Sequence, residues 1–341
     1  MHISEGILTG PSVIATSVGG AVVLIWGARS MSRFAKEQPR RRALLGMAGA
    51  FIFLVSLIPI PAFTGTTSHP CGTPLAGILL GPGIGACLAS LSLLLQASFF
   101  AHGGFSSLGA NTMSLGFLGA GTAWLVFAGG RRMGLPLWAA AGLGGLLGDL
   151  ATYLGTGGML ATHLAYVAPD PQYGFFEYLG VIYAAYVPTQ SVIAIGEMVV
   201  TGYAVHAIAR QRPEVLESLG VVRKKAVAAG AIVLLLLASV APPWVPSAVA
   251  QEPAETQVTE EPAAEDEGFL GMDEAVNEAV AEAAGAPARD PFIDLESLGD
   301  VWNTVLLGAG GICGFVIGRW WHLLFGAKGR DDEDEEEPTA P

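Results

Sequence analysis

The chain opens Met1-His2-Ile3-Ser4-Glu5-Gly6-Ile7-Leu8, with no lysine or arginine before Arg29. A secretory signal carries a basic stretch ahead of its apolar core, so this opening is of another kind. It offers metal chemistry instead. An α-amine titrates near ~8 and can give up its proton to a metal. The imidazole of His2 can fold back on that amine, and the amide nitrogen between them lies within chelating reach. Nitrogens held in adjacent rings favour a planar site, which suits Ni(II) or Cu(II) and at times Co(II). Two more imidazoles stand in glycine-bearing stretches: His69, which ends Gly65-Thr66-Thr67-Ser68-His69, and His102, which opens His102-Gly103-Gly104-Phe105-Ser106-Ser107.

The elements that must position these residues are membrane elements. Of 341 residues, 52% are hydrophobic and 14% charged, with mean hydropathy +0.51. That profile implies an all-α, polytopic membrane bundle. The net charge of −13 is unevenly laid down. Fifteen acids lie in 251–300 and seven in 331–337, whereas residues 1–250 hold 13 Lys+Arg against eight acids. The body is therefore mildly basic, the acidity belongs to a linker and a tail, and nucleic acid is not implied. Cys71, Cys87 and Cys313 show no paired spacing, so no disulfide framework is expected. Cys71, two residues after His69, reads as a small loop residue more readily than as a ligand.

A spanning helix needs about 20 apolar residues, and runs of that kind cover about 13–28, 43–62, 75–100, 107–128, 136–157 and 179–208. Arg29, Arg33, Lys36, Arg40, Arg41 and Arg42 follow the first. The positive-inside rule makes that end cytoplasmic and turns Met1 and His2 outward. The second run returns the chain to the outer side and delivers His69 there, so charge asymmetry alone puts both histidines on the face from which an ion arrives. Parity then fails, because six spans leave Arg210, Arg212, Arg223, Lys224 and Lys225 outside. Either about 158–168 makes a short extra crossing, or the segment near 100–111 is re-entrant, as backbone at membrane depth can be where protein or a water-filled cavity buries it.

Beyond Arg223-Lys224-Lys225, residues 226–243 form another span. Its basic start, apolar core and Ala248-Val249-Ala250 resemble a secretory signal fused in frame, with a processing point at Ala250. The Pro-, Ala- and Glu-rich linker 251–300 is expected to stay largely disordered and outside. A final span, about 301–318, brings the chain back before the acidic cytoplasmic tail 331–341.

Three stretches carry a family resemblance. Met1-His2-Ile3-Ser4-Glu5-Gly6 resembles the start of the CbiM/NikM family, the substrate-binding membrane subunits of energy-coupling-factor ABC importers for cobalt and nickel. Gly65 to His69, followed by Leu75-Ala76-Gly77-Ile78-Leu79-Leu80-Gly81-Pro82, is similar to that family's histidine loop and following helix. Gln96-Ala97 through His102 to Asn111-Thr112-Met113 is similar to its glycine-rich loop. The resemblance covers residues 1–217 and implies seven spans there. It implies the Met1 amine, the His2 amide and imidazole, and the His69 imidazole as a four-nitrogen ligand set for transported Co2+ or Ni2+, with no prosthetic group. Partners follow from it as well: a transmembrane coupling (T) subunit and cytoplasmic ATPases, in the cell membrane. Residues 218–330 resemble the two-span layout of the accessory subunit CbiN or NikN. Ser4-Glu5 after Met-His-Ile leans toward the cobalt-named branch, because the nickel-named one commonly has Pro-Asp there, whereas planar nitrogen geometry leans toward nickel.

Other polar residues have supporting or open roles. Glu5 fixes the N-terminal segment by pairing or capping. The resemblance gives Gln96 and Asn111 a part in orienting that segment, against plain interhelical hydrogen bonding. His102 relays the metal, braces another imidazole, or caps loop backbone. Asp149 and Glu197 are intramembrane acids and so candidates for function, with packing or partner docking as the simpler role. His163, His206 and His322 read as interfacial side chains. No G-x-x-x-x-G-K-[ST] and no H-E-x-x-H occur, so neither a Walker A loop nor a zincin site is present. The rival readings are an intramembrane zinc enzyme built on His2, His69 and His102, and a channel or secondary transporter working without an ATPase.

Overall fold

The computed structural model describes residues 2–58, 60–61, 67–100, 102–168, 171, 173–221 and 272–287. The expectations for Met1, for the spans 226–243 and 301–318, for Ala250, for His322 and for the tail 331–341 lie outside the described residues. Within them the chain is almost wholly helical, and five helices are long and apolar enough to cross a membrane.

Helix α1 (Gly10–Glu37) carries Pro11 in its first turn, where the missing N–H is no loss. Ile14, Val18, Val22 and Ile25 are exposed, and only Gly20 and Gly27 are buried. These two glycines, seven residues apart, share one stripe. A Cβ on Gly20 would lie 2.7 Å from Gly109 Cα, and one on Gly27 would lie 2.5 Å from the Gly83 carbonyl oxygen. Lipid is as apolar as any side chain, so close backbone approach rather than hydrophobic burial holds such a helix to its bundle.

A turn at Pro39–Arg41 leads into α2 (Arg42–Val55). This helix ends earlier than the expected 43–62. Proline at 59 and at 61 cannot donate a backbone bond, and the chain enters a two-residue antiparallel pairing of β1 (Ile60–Pro61) with β2 (Thr67–Ser68), Ile60 opposite Ser68. The apolar run 75–100, expected as one span, is two helices: α3 (Thr73–Leu80) and α4 (Pro82–Phe99). Gly81 between them has φ +89°, a conformation that glycine adopts without penalty. The pair doubles back on itself, so that a Cβ on Gly85 would stand 3.1 Å from the Gly77 amide.

That split adds a half-length helix to the expected count. Helix α5 (Leu108–Asn111) continues through π-helical turns at Thr112–Gly119 into α6 (Ala120–Arg132), followed by α7 (Leu137–Tyr166) and α8 (Phe175–Gln211). With the half-length α3 counted, seven helical segments separate residue 10 from residue 211 among the described residues. Residues 158–166 are the last turns of α7 and no separate crossing. Arg40 and Arg41 line a cleft with Ser218, and Arg131 and Arg132 line another with Leu219 to Val221, so the basic turns gather at one end.

Helix α9 (Pro213–Ser218) closes that end, and α10 (Met272–Ala283) lies back against the opposite one. Helix α10 is an ordered stretch inside the linker 251–300, most of which is expected to be disordered. Ala281 and Ala284 are fully buried in one cluster with Ile3, Ile7, Leu8, Tyr178, Ile182 and Tyr186. Val276, Val280, Ala281 and Ala284 repeat at helical spacing, a stripe that the surrounding acidic composition conceals.

Candidate metal centre

His2, His69 and His102 come together at the end of the bundle away from the basic turns, their ligand nitrogens all within 4.8 Å of one another. Three different elements deliver them: the N-terminal segment, the loop between β2 and α3, and the loop between α4 and α5. His69 Nε2 lies 3.3 Å from His2 Nδ1 and 3.4 Å from His102 Nε2. Two nitrogens at right angles on an ion with ~2.1 Å bonds stand ~3.0 Å apart, so both separations suit adjacent positions on one ion. The second nitrogen of His69, Nδ1, lies 3.1 Å from the Pro70 carbonyl oxygen. A proton on Nδ1 donated to that oxygen leaves the Nε2 lone pair facing the cluster.

His2 and His69 are 0% and 5% exposed. Burial, with the other two imidazoles adding to it, holds the His2 proton affinity well below the ordinary imidazole range and so keeps a neutral ring ready for a metal. In the unfolded chain His2 takes up its proton near pH ~6.5, whereas the folded chain resists it, so acidification through that value favours the unfolded or undocked state. Protection of residues 2–8 from hydrogen exchange, taken relative to the intrinsic rate at each pH, should fall between pH 7 and pH 5 in the metal-free protein, and His2→Ala should not show that fall.

The N-terminal segment is pinned along its length. Ile3 N–H donates to Asn111 Oδ1 at 2.8 Å, and Asn111 Nδ2 donates back to the Ile3 carbonyl at 3.1 Å. The Asn111 amide therefore serves as a one-residue strand partner. The Glu5 carboxylate accepts from the Ser106 amide at 3.1 Å, and Gly6 N–H donates to Ser106 Oγ at 3.2 Å. Ile3, Ile7 and Leu8 are buried, each contributing about 1.5–3 kcal/mol to docking relative to water. Gly103 and Gly104 give the segment its room: a Cβ on Gly104 would fall 2.7 Å from Glu5 Cα.

The expected roles divide on this geometry. Met1 lies outside the described residues. His2 and His69 meet, and His102 joins them. Asn111 bonds the N-terminal segment at Ile3, and Glu5, within that segment, ties it to Ser106. Gln96 does not bond that segment: its Nε2 donates to Ser56 Oγ at 2.6 Å and Ser92 Oγ at 2.9 Å, bracing the end of α2 against α4, while its backbone carbonyl accepts from the His102 amide at 3.3 Å. The Cys71 thiol donates to Asp149 Oδ1 at 3.0 Å and is not a member of the imidazole cluster. His163 is fully buried rather than interfacial, with Nδ1 3.0 Å from Ser12 Oγ.

Sequence reasoning missed Ser106 and Asn277. Asn277 Nδ2, from α10, donates to the His2 carbonyl at 3.3 Å, and its Oδ1 accepts from the Tyr186 hydroxyl. The only signal for Asn277 is a polar residue inside an apolar stripe. Asn277→Ala should weaken Co(II) binding about tenfold, because it leaves two buried groups without that partner. A metal titration of the purified full chain checks this.

Residues 2–215 match the family described as CbiM, cobalt uptake substrate-specific transmembrane region. The chain is 36% identical to the cobalt transport protein CbiM of Geobacter sulfurreducens, over 98% of this chain and 92% of that one. It is 37% identical to the cobalt transport protein CbiM of Streptomyces coelicolor, over 65% of this chain and 94% of that one. A solved structure of a transition metal transporter shares the fold, with TM-score 0.55, 24% identity and coverage of 64% of this chain and 98% of that one. A multi-pass helical bundle with three converging histidines, matched by that family over residues 2–215, the chain belongs to the CbiM family and is a membrane component of metal transport rather than an enzyme.

Proposed function

We propose that the chain is the substrate-capture subunit of an energy-coupling-factor importer, taking Co2+ first and Ni2+ as well. The observation that carries this reading is the N-terminal segment, which is held inside the bundle so that His2 meets His69. The Met1 amine, the His2 amide and imidazole, and the His69 imidazole make up the ligand set, and His102 adds a third ring beside them. A third imidazole favours an ion that tolerates ligands beyond a plane, in keeping with relatives named for cobalt. The basic turns face the cytoplasm and the histidines face outward, as the positive-inside rule requires. Uphill transport draws on a coupling subunit and ATPases, since the chain has no Walker A sequence.

Residues 218–330 form a fused accessory region of the CbiN/NikN kind. The Streptomyces relative matches 65% of this chain yet 94% of its own length, and the Geobacter relative matches 98% of this chain. That difference in coverage supports a division near residue 217.

The test adds one residue before Met1 and measures Co(II) and Ni(II) binding. Loss of binding with the fold intact is the expected result. Unchanged affinity for both ions would remove the terminal amine from the ligand set.

A further inference from the structure

Two carboxylates, Asp149 on α7 and Glu197 on α8, are buried where α3 begins, at 0% and 3% exposed. Acids at such depth are expensive, and neither belongs to the imidazole cluster. Their partners account for them. Helix α3 starts inside the bundle, and the first turn of any helix leaves N–H groups without intrahelical acceptors and carries a partial positive charge. The Gly72 N–H donates to Glu197 Oε1 at 2.5 Å, and the Cys71 N–H supports the same carboxylate. The Cys71 thiol donates to Asp149 Oδ1 at 3.0 Å. The two acids thus hold residues 71 and 72 from two different helices.

Between those residues and His69 stands only Pro70, whose ring fixes one backbone torsion and whose carbonyl oxygen lies 3.1 Å from His69 Nδ1. Gly72 has φ +68°, and a Cβ there would lie 3.2 Å from Ile52 Cα, so the segment has little freedom to re-form elsewhere. A shift at Gly72 passes along three stiff residues to the imidazole.

We infer that Glu197 is a positioning residue for metal capture: its carboxylate caps the start of α3, fixes Cys71 and Gly72, and thereby sets where His69 presents Nε2 to His2 and His102. The inference rests on His69 being a ligand, as proposed above. Asp149 acts in the same sense through the Cys71 thiol.

The experiment titrates the full-length protein in detergent with Co(II). It records affinity and the visible d–d spectrum at saturating metal for the wild type, His69→Ala, Glu197→Ala, Glu197→Gln and Glu197→Asp. Glu197→Ala should bind about tenfold to a hundredfold more weakly, the loss expected when a charge-assisted bond is removed, and its bands should move because His69 is displaced. Glu197→Gln keeps an oxygen that accepts the Gly72 N–H, so it should return to within about threefold of wild type with wild-type bands. Should Glu197→Ala not fold, Glu197→Asp, with its carboxylate one methylene back, must still move the bands. A weakened Glu197→Ala with wild-type bands at saturation would mean general destabilisation and overturn the inference. Wild-type affinity and bands in Glu197→Ala, or no rescue by Glu197→Gln, would overturn it too. His69→Ala separates the two claims: wild-type binding in that variant removes His69 as a ligand whatever Glu197 does, and loss there with an unaffected Glu197→Ala removes only the positioning role.

Discussion

Replacing His69 by alanine is expected to weaken Co(II) binding by about a hundredfold to a thousandfold. The magnitude comes from dividing the ~10–16 kcal/mol of a four-ligand metal site among its ligands, which gives ~2.5–4 kcal/mol for each. His69 should show the largest effect of any single imidazole, because its Nε2 faces both His2 and His102. Its side chain belongs to none of the hydrophobic clusters among the described residues, so thermal unfolding of the metal-free bundle should change little. His102→Ala tests the ranking. If His102 stands outside the plane of the other ligands, its loss weakens binding less and leaves a more nickel-like preference. Isothermal titration with Co(II) and Ni(II) on the same preparations measures both. An equal loss for His69→Ala and His102→Ala would mean a tri-imidazole site in place of the amine–amide–imidazole set.

The second large effect is expected at a residue that supplies no ligand atom. Gly104→Ala places a methyl group 2.7 Å from Glu5 Cα, backbone to backbone, with the Glu5 side chain also in its way. A flexible side chain could move aside, but a main-chain atom cannot without moving the segment. Overpacking of this kind costs about 1–3 kcal/mol where the surroundings yield. Here the yielding part is the N-terminal segment, pinned through Ser106 next to the substituted residue. The variant should therefore fold, insert and keep its helices while His2 is withdrawn from His69. About tenfold to a hundredfold weaker metal binding is expected, by that same 1–3 kcal/mol, with hydrogen exchange in residues 2–8 raised toward that of an unfolded peptide. Wild-type protection there would show that the loop can widen without releasing the segment. Asn111→Leu offers a milder version, removing both bonds to Ile3 while keeping side-chain volume.

The contrast between His69 and Gly104 marks what each level of description contains. Residue type was enough for the class of protein, because lipid demands apolar helices, whereas the pairing of His2 with His69 came from the resemblance of the opening and of the histidine loop. The break at Gly81–Pro82 was visible as a glycine–proline step, yet hydropathy averages across it, so the half-length α3 stayed hidden in one apolar run. The remaining decisions were tertiary. Asp149 and Glu197 read as isolated acids until α7 and α8 set them against the start of α3, where the Cys71 thiol donates to Asp149 and the Gly72 amide to Glu197. Helix α10 read as acidic linker because composition counts charges, whereas docking depends on four small apolar residues facing Ile3, Ile7 and Leu8. His102 was a loop residue with several uses until the α4–α5 connection carried it to within 3.4 Å of His69. A sequence states which atoms can bind a metal or fill a core, but their meeting is decided by backbone approach distances that depend on every helix in the bundle at once.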